Sequence, residues 1–271
     1  MTLPFKARLR EARYALPGLV ERHVAGETPE QAARACARLA GSGVAVTAGY
    51  FHGGEAAPAA VAETWRRLAA GLAESGCDAL LALKAPALAF DESLVGSIRQ
   101  SGVPLVFDSL TEPHAQGTLD LVESLAAGAA LPARWRRSIG DARRLRDGPC
   151  RIRLVKGEWA DPVADPADPF EAYLELARLL AGREASVGVA THDPVLAEAA
   201  LKILLDGGTP CELEQLRGLP RRRTMAVARK LGAPVRLYYP FGPGWWPYAL
   251  DKALARPYLP LWALRDFFGI T

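Results

Sequence analysis

Cysteine is scarce and dispersed in this chain: Cys36, Cys77, Cys150 and Cys211 form no CxxC pair and no ligand-like spacing. That pattern argues against a structural zinc and a disulfide framework, and it fits a reducing cytoplasm. The four histidines, His23, His52, His114 and His192, fall in no HxH or HExxH arrangement, so no metal site is expected. No GxGxxG opens a helix after a strand, and no GxSxG elbow presents a serine. A Rossmann dinucleotide loop and an esterase-type nucleophile are thereby unsupported. No apolar run reaches transmembrane length, and the N-terminus lacks a signal-peptide core, so stable membrane insertion is not expected. Charge of one sign is missing too, with 33 basic and 30 acidic side chains and a net charge of +3. This makes nucleic acid a poor partner. Arg134, Arg136, Arg137, Arg143 and Arg144 do cluster, but without interleaved aromatics they read as the solvated face of a helix.

What is present is apolar bulk and a repeating unit. Half of the 271 residues are hydrophobic, enough for a sizeable core. Strand-like runs recur at 44–47, 80–83, 104–107, 151–155, 186–190, 211–213 and 235–239, and a short, weak one is needed at 128–131. Helical periodicity fills the gaps, with Phe170, Tyr173, Leu174, Ala177 and Leu180 on one face and Val195, Leu196, Ala199, Ala200 and Ile203 on another. Eight strand–helix units in roughly 230 residues predict an α/β fold, a (β/α)8 TIM-type barrel, with a doubly wound sheet as the runner-up. A single domain over 1–271 is the simplest organisation: a helical N-terminal layer at 1–43, a barrel at 44–255 and a docked tail at 256–271. Thr28-Pro29-Glu30 reads as a helix start, and Leu261, Leu264 and Phe268 give the tail an apolar helical face.

The most distinctive stretch is Arg151-Ile-Arg-Leu-Val-Lys-Gly157. Cations alternating with apolar residues do not suit an ordinary core strand, because a buried cation costs several kcal/mol unless a partner meets it. Three cations at the C-terminal end of a barrel strand point to an anionic or electron-rich ligand, and a wet edge strand is the competing reading. Other strand ends add Lys84, Asp108, Thr191-His192, Tyr238 and Tyr239, a polar set at one end of an otherwise apolar barrel. Each has a bland alternative: Lys84 snorkels, Asp108 caps the next segment, His192 is a satisfied surface histidine, and Tyr238 is core. Asp193-Pro194 reads as an N-cap followed by proline at the first helical position.

Arg153-Leu-Val-Lys-Gly157, Ala190-Thr-His192 and Val235-Arg-Leu-Tyr-Tyr-Pro-Phe-Gly242 resemble the fifth, sixth and eighth strand motifs of the proline dehydrogenase family. Val24-Ala-Gly-Glu-Thr28 and Glu212…Gln215-Leu-Arg-Gly218 are similar to it as well, so the resemblance spans nearly the whole chain in order. It implies a barrel that binds FAD and oxidises proline to pyrroline-5-carboxylate by hydride transfer, passing electrons to an acceptor such as a quinone. It also implies Arg153 beside the reactive edge of the flavin, with Lys156, Gly157, Glu158, Thr191, His192 and Ser109 along the cofactor. Asp108 and Tyr238 would act with Arg153, and Lys84, Tyr248, Asp251 and Lys252 would face the substrate. By the same analogy, peripheral association with the inner membrane is compatible with the chain.

The departures concern the substrate. Where the family carries Tyr-x-x-Arg-Arg-x-x-Glu, this chain reads Tyr248-Ala-Leu-Asp251-Lys252-Ala-Leu-Ala255. An acid and a single lysine do not replace a guanidinium fork. A cofactor-contacting glutamine of the family aligns with Pro132, and a glutamate with Leu110. Proline or a related amine or imino acid is therefore the expected substrate. The alternatives are a degenerate barrel kept as a binding or regulatory protein, and a barrel enzyme using Lys84 as a Schiff-base nucleophile.

Overall fold

The computed structural model describes residues 28–245 and 248–249. Eight parallel strands close into a barrel: β1 (Ala45–Tyr50), β2 (Ala79–Leu83), β3 (Leu105–Phe107), β4 (Gly128–Pro132), β5 (Ile152–Val155), β6 (Val187–Ala190), β7 (Cys211–Leu216) and β8 (Val235–Phe241). Each strand pairs with the next, and β8 returns to β1 with Tyr238 beside Thr47 and Phe241 beside Tyr50. Helices α2 (Pro58–Ser75), α3 (Glu92–Arg99), α4 (Ala115–Ser124), α5 (Ser138–Leu145), α6 (Pro169–Leu180), α7 (Pro194–Asp206) and α8 (Arg222–Leu231) form the outer layer, with α1 (Pro29–Ala40) before β1. The (β/α)8 expectation holds. β1, β7 and β8 run two or three residues further than their apolar cores suggested, and 128–132 is the fourth strand.

Local signals set the helix starts. Thr28 accepts from Gln31 N while the Gln31 side chain accepts from Thr28 N, a reciprocal cap with Pro29 in the first turn. Asp193 caps α7 by accepting from Val195 and Leu196 N, as its sequence predicts. The buried face of α7 differs from the expected one. Leu196, Ala197, Ala200, Leu201 and Leu204 point inward, and Val195 is 65% exposed. Both faces satisfy the 3.6-residue period, and packing against β6 and β7 selects between them.

Alternation divides the strands into two faces. Leu81, Leu83, Phe107, Ile152, Leu154, Val189 and Leu213 face the helices and join one apolar core. Leu80, Ala82 and Val106 face the barrel axis, where Tyr238 packs against them. The rest of the interior corrects the expectation of an apolar barrel. Arg151 donates to Glu212 at 2.5 Å and to Glu214 at 2.6 Å. Arg236 pairs with Glu212 and reaches Asp78 at 2.8 Å. Arg153 reaches Glu214 at 2.6 Å and Asp108 at 2.7 Å. A ladder of alternating charge thus climbs the interior from Asp78 to Asp108, so Arg151 belongs to the lower ladder and not to the ligand end.

The basic cluster at 134–144 also differs from a solvated helix face. Residues 134–137 precede α5, and Arg134 holds Asp165 through two 2.6 Å bonds. Arg137 holds Asp141 at 2.8 Å, and Arg144 holds Glu123 at 2.6 Å.

Candidate active site

Four side chains converge at the C-terminal mouth, from β2, β3, β5 and β8. Tyr238 Oη donates to Asp108 Oδ2 at 2.8 Å. Arg153 donates through Nη1 to Asp108 Oδ1 at 2.7 Å, and its guanidinium lies 5.3 Å from the centre of the Tyr238 ring. Lys84 Nζ donates to the Tyr50 carbonyl at 3.2 Å, approaches Asp108 Oδ2 at 3.4 Å, and sits 4.0 Å above the Phe51 ring. One carboxylate therefore gathers a guanidinium, an ammonium and a phenol. Gly49 makes this possible, since a Cβ there would collide with the Tyr238 ring and hydroxyl.

Burial and charge compete at each group. Burial pushes the Lys84 ammonium below its usual range, and the nearby Asp108 offsets only part of that. Burial, reinforced by Asp108, pushes the Tyr238 phenol well above its ordinary value. Burial opposes the charge on Arg153, but Glu214 and Asp108 outweigh it and hold the guanidinium protonated. Burial would raise Glu214, yet Arg153 and Arg151 hold it below the usual carboxylate range.

Arg153 Nη2 shares with Arg151 Nε and Arg183 Nη1 the lack of a partner among the described residues, but only Arg153 belongs to the four-residue cluster at the mouth. Arg153 is 3% exposed, its Nε and Nη1 are taken by carboxylates, and its Nη2 is buried without a hydrogen-bond partner among the described residues. A buried unpaired donor costs about 1–3 kcal/mol, and a group bound at the mouth is one partner that would satisfy it.

The loops above extend the site. Glu158, after β5, accepts from Tyr248 Oη at 2.6 Å, linking the segments that follow β5 and β8. Tyr248 packs against Phe51 and Trp245, with ring centres 5.2 and 5.7 Å away. Gly157 adopts φ +95°, and a Cβ there would stand 2.8 Å from Arg134 Cβ and 3.0 Å from Pro132 Cβ, so only glycine fits beneath this turn. Lys156 is half exposed, with Asp193 at 3.7 Å. Ser109 directly follows Asp108 at the mouth and is partly exposed.

Thr191 and His192 form a latch. His192 Nδ1 donates to the Pro220 carbonyl at 2.7 Å, and Nε2 accepts from Leu216 N at 3.0 Å, which fixes the Nδ1–H tautomer. The buried Thr191 carbonyl accepts from the Gln215 side chain, whose oxygen accepts from Thr224 Oγ1 at 2.8 Å. His192 thus has the satisfied character of its bland reading, and ties the end of β6 to the end of β7. Tyr239 faces the helices, with Arg217 4.8 Å from its ring centre. Asp251 and Lys252 lie outside the described residues, as do residues 1–27 and the tail.

Sequence reasoning missed Glu214, Phe51 and the glycines that admit these side chains. A signal for Glu214 was there. Glu212 and Glu214 alternate on one strand as Arg151 and Arg153 do on another, and period-two charges of opposite sign on two barrel strands imply an interior pairing.

A closed parallel barrel whose mouth concentrates cations around one carboxylate is an enzyme-like architecture, with its site where TIM barrels place theirs. No protein-family model matches the chain. It is 27% identical over 265 residues to proline dehydrogenase 1 of Bacillus subtilis subsp. natto, covering 87% of this chain and 86% of that protein. It is 26% identical over 278 residues to a proline dehydrogenase of Deinococcus radiodurans, covering 91% and 89%. Among solved structures, proline utilization A (PutA) from Bdellovibrio bacteriovorus, inactivated by N-propargylglycine, aligns with a TM-score of 0.73 at 18% identity over 99% of this chain and 36% of that one. PutA from Corynebacterium freiburgense aligns with a TM-score of 0.67 at 19% identity over 94% of this chain and 33% of that one. The chain spans about a third of the PutA chains, and at these identities the structural likeness shows the fold. The sequence relatives, at 26–27% identity over nearly their whole length, make the chain similar to proline dehydrogenases.

Proposed function

We propose that the chain is a flavin-dependent oxidoreductase that oxidises proline or a related amine or imino acid, with FAD held at the barrel mouth. The observation that carries this reading is the buried Nη2 of Arg153, without a partner among the described residues, beside Asp108, Tyr238 and Lys84. A fixed guanidinium suits a group that gains negative charge during reaction, because a preorganised cation stabilises that charge without reorganising. The donor set therefore fits a flavin. When bound, FAD would supply a two-electron hydride acceptor, so that proline loses a hydride from carbon and a proton from nitrogen to give pyrroline-5-carboxylate.

The chain's own residues divide the remaining work. Arg153 offers Nη2 to the electron-rich edge of the cofactor. Lys156, Gly157, Glu158, Thr191, His192 and Ser109 border the space it would fill, and the positive φ of Gly157 lets the backbone turn close beneath it. Lys84, Asp108 and Tyr238 form the floor on which the substrate is oriented. Tyr248, with Phe51 and Trp245, gives an apolar wall that excludes water from a small ring. Asp251 and Lys252 would complete the substrate side, and a quinone or another carrier would take the electrons onward. Such a barrel would work in the cytoplasm, or at the inner membrane surface if the acceptor is a quinone.

The test is direct. Purified protein, reconstituted with FAD, should be yellow and should bleach anaerobically with L-proline or with one member of a panel of cyclic and acyclic amines. A colourless protein that FAD cannot reconstitute would sink the flavoenzyme reading and leave the binding-protein alternative. Bound flavin that no amine bleaches would remove the proposed substrate class.

A further inference from the structure

Arg153 and Glu214 meet across a strand. β6 runs between β5 and β7, with Arg153 in register with Gly188 and Gly188 in register with Glu212. A side chain on Gly188 would crowd Glu214: its Cβ would collide with Glu214 Oε1 and stand 2.6 Å from Arg151 Nη2. Glycine there leaves room for the Glu214 carboxylate, whose Oε2 accepts from Arg153 Nε at 2.6 Å. The other oxygen of Glu214 accepts from Arg151 Nη2 at 2.6 Å, and Arg151 is in turn held by Glu212. Glu214 is thus anchored from below by the ladder and grips Arg153 from within the barrel, while Asp108 grips it at the mouth.

Resting on the flavin reading above, we infer that Glu214 is the positioning residue of Arg153: it holds the guanidinium so that Nη2 is left for the cofactor, and its charge tempers the field that Arg153 presents there. Glu214 is 3% exposed, so its influence passes through Arg153 and not through contact with a ligand. The burial of both partners strengthens the coupling, because a low-dielectric interior screens charge weakly. Glu214 is held ionised by the same two arginines, so the compensating charge is present across the neutral range.

The test compares FAD-loaded wild type, Glu214→Gln and Glu214→Leu. Glutamine keeps an oxygen for Arg153 Nε but loses the charge. The affinity for reduced over oxidised flavin should rise about ten-fold, which is about 30 mV in a two-electron midpoint potential. Leucine removes the acceptor as well, and anaerobic reduction by L-proline should slow at least ten-fold, with glutamine restoring most of the rate. If proline does not bleach the wild-type flavin, the potentials alone decide. Folded, flavin-loaded variants with wild-type potentials would overturn the inference, while a wild type that takes up no flavin would overturn the functional reading and the inference with it. Should neither variant fold, infrared difference spectra of the reduced and oxidised holoenzyme with 13C-labelled glutamate replace them. A labelled carboxylate band that persists in Glu158→Gln supports the coupling, and its absence refutes it.

Discussion

Replacing Arg153 with methionine separates what that residue does for the fold from what it does for the chemistry. The substitution leaves Glu214 and Asp108 buried without their shared guanidinium, and removing one partner of a buried pair costs about 3–5 kcal/mol. The lower end applies here. Glu214 keeps Arg151 at 2.6 Å, and Asp108 keeps Tyr238 at 2.8 Å and Lys84 at 3.4 Å. A loss of about 3 kcal/mol is smaller than the ~5–15 kcal/mol stability of a typical domain, so the variant should fold. Its Tm should fall by about 6–12 °C. The loss should also depend on pH in a definite direction. Because the folded-state pKa of Glu214 is depressed, its contribution is present above its ordinary value of 4.5 and lost as pH falls through the lower folded value. Losing Arg153 moves that folded value up, so the gap between wild type and variant should be largest near neutrality and shrink as pH falls below 4.5 toward the lower folded value of the wild type. Scanning calorimetry from pH 7 to about pH 3 reads this directly, and stopped-flow reduction of the bound flavin at pH 7 should slow sharply. A Tm gap that is flat with pH, or below about 2–4 °C (about 1 kcal/mol), would refute the ion-ladder account. Unchanged reduction kinetics would remove Arg153 from the mechanism.

Other outcomes follow from single contacts. Gly49→Ala places a Cβ in the Tyr238 ring, so it should cost about 1–3 kcal/mol by urea titration and weaken substrate turnover by displacing the hydroxyl from Asp108. Tyr238→Phe should be milder, losing about 1–2 kcal/mol for the bond to Asp108, with a larger change in kcat/KM than in Tm. His192→Ala strands the Leu216 N–H and the Pro220 carbonyl, so about 1–3 kcal/mol should be lost, and 15N NMR of the wild type should show the Nδ1–H tautomer. Thr28→Ala, which removes the reciprocal cap of α1, should cost about 1 kcal/mol by urea titration.

What the amino-acid order determined by itself was the periodic plan. Short aliphatic runs separated by amphipathic helices require parallel βαβ units, because each face must be buried against its neighbour. Thr28 and Asp193 mark their helix starts through local hydrogen bonds that need no tertiary partner. Strand ends then pick out Lys84, Asp108, Arg153 and Tyr238, since barrel closure brings successive ends to one face, and the structure joins these four around a single carboxylate. Tertiary structure alone decided the partners. Glu214 lies 61 residues from Arg153 in the chain, and only closure of the barrel, with glycine at 188, brings them into contact. It also decided which helical face of α7 is buried, and it turned His192 into a latch by presenting two backbone groups from the end of β7. The stretch from Arg151 to Lys156 shows the division most clearly. Its alternation put Arg151 and Arg153 on one face of a strand and pointed to a ligand at the strand end, but the depth of each residue assigned Arg151 to the ladder, Arg153 to the mouth and Lys156 to the half-exposed rim.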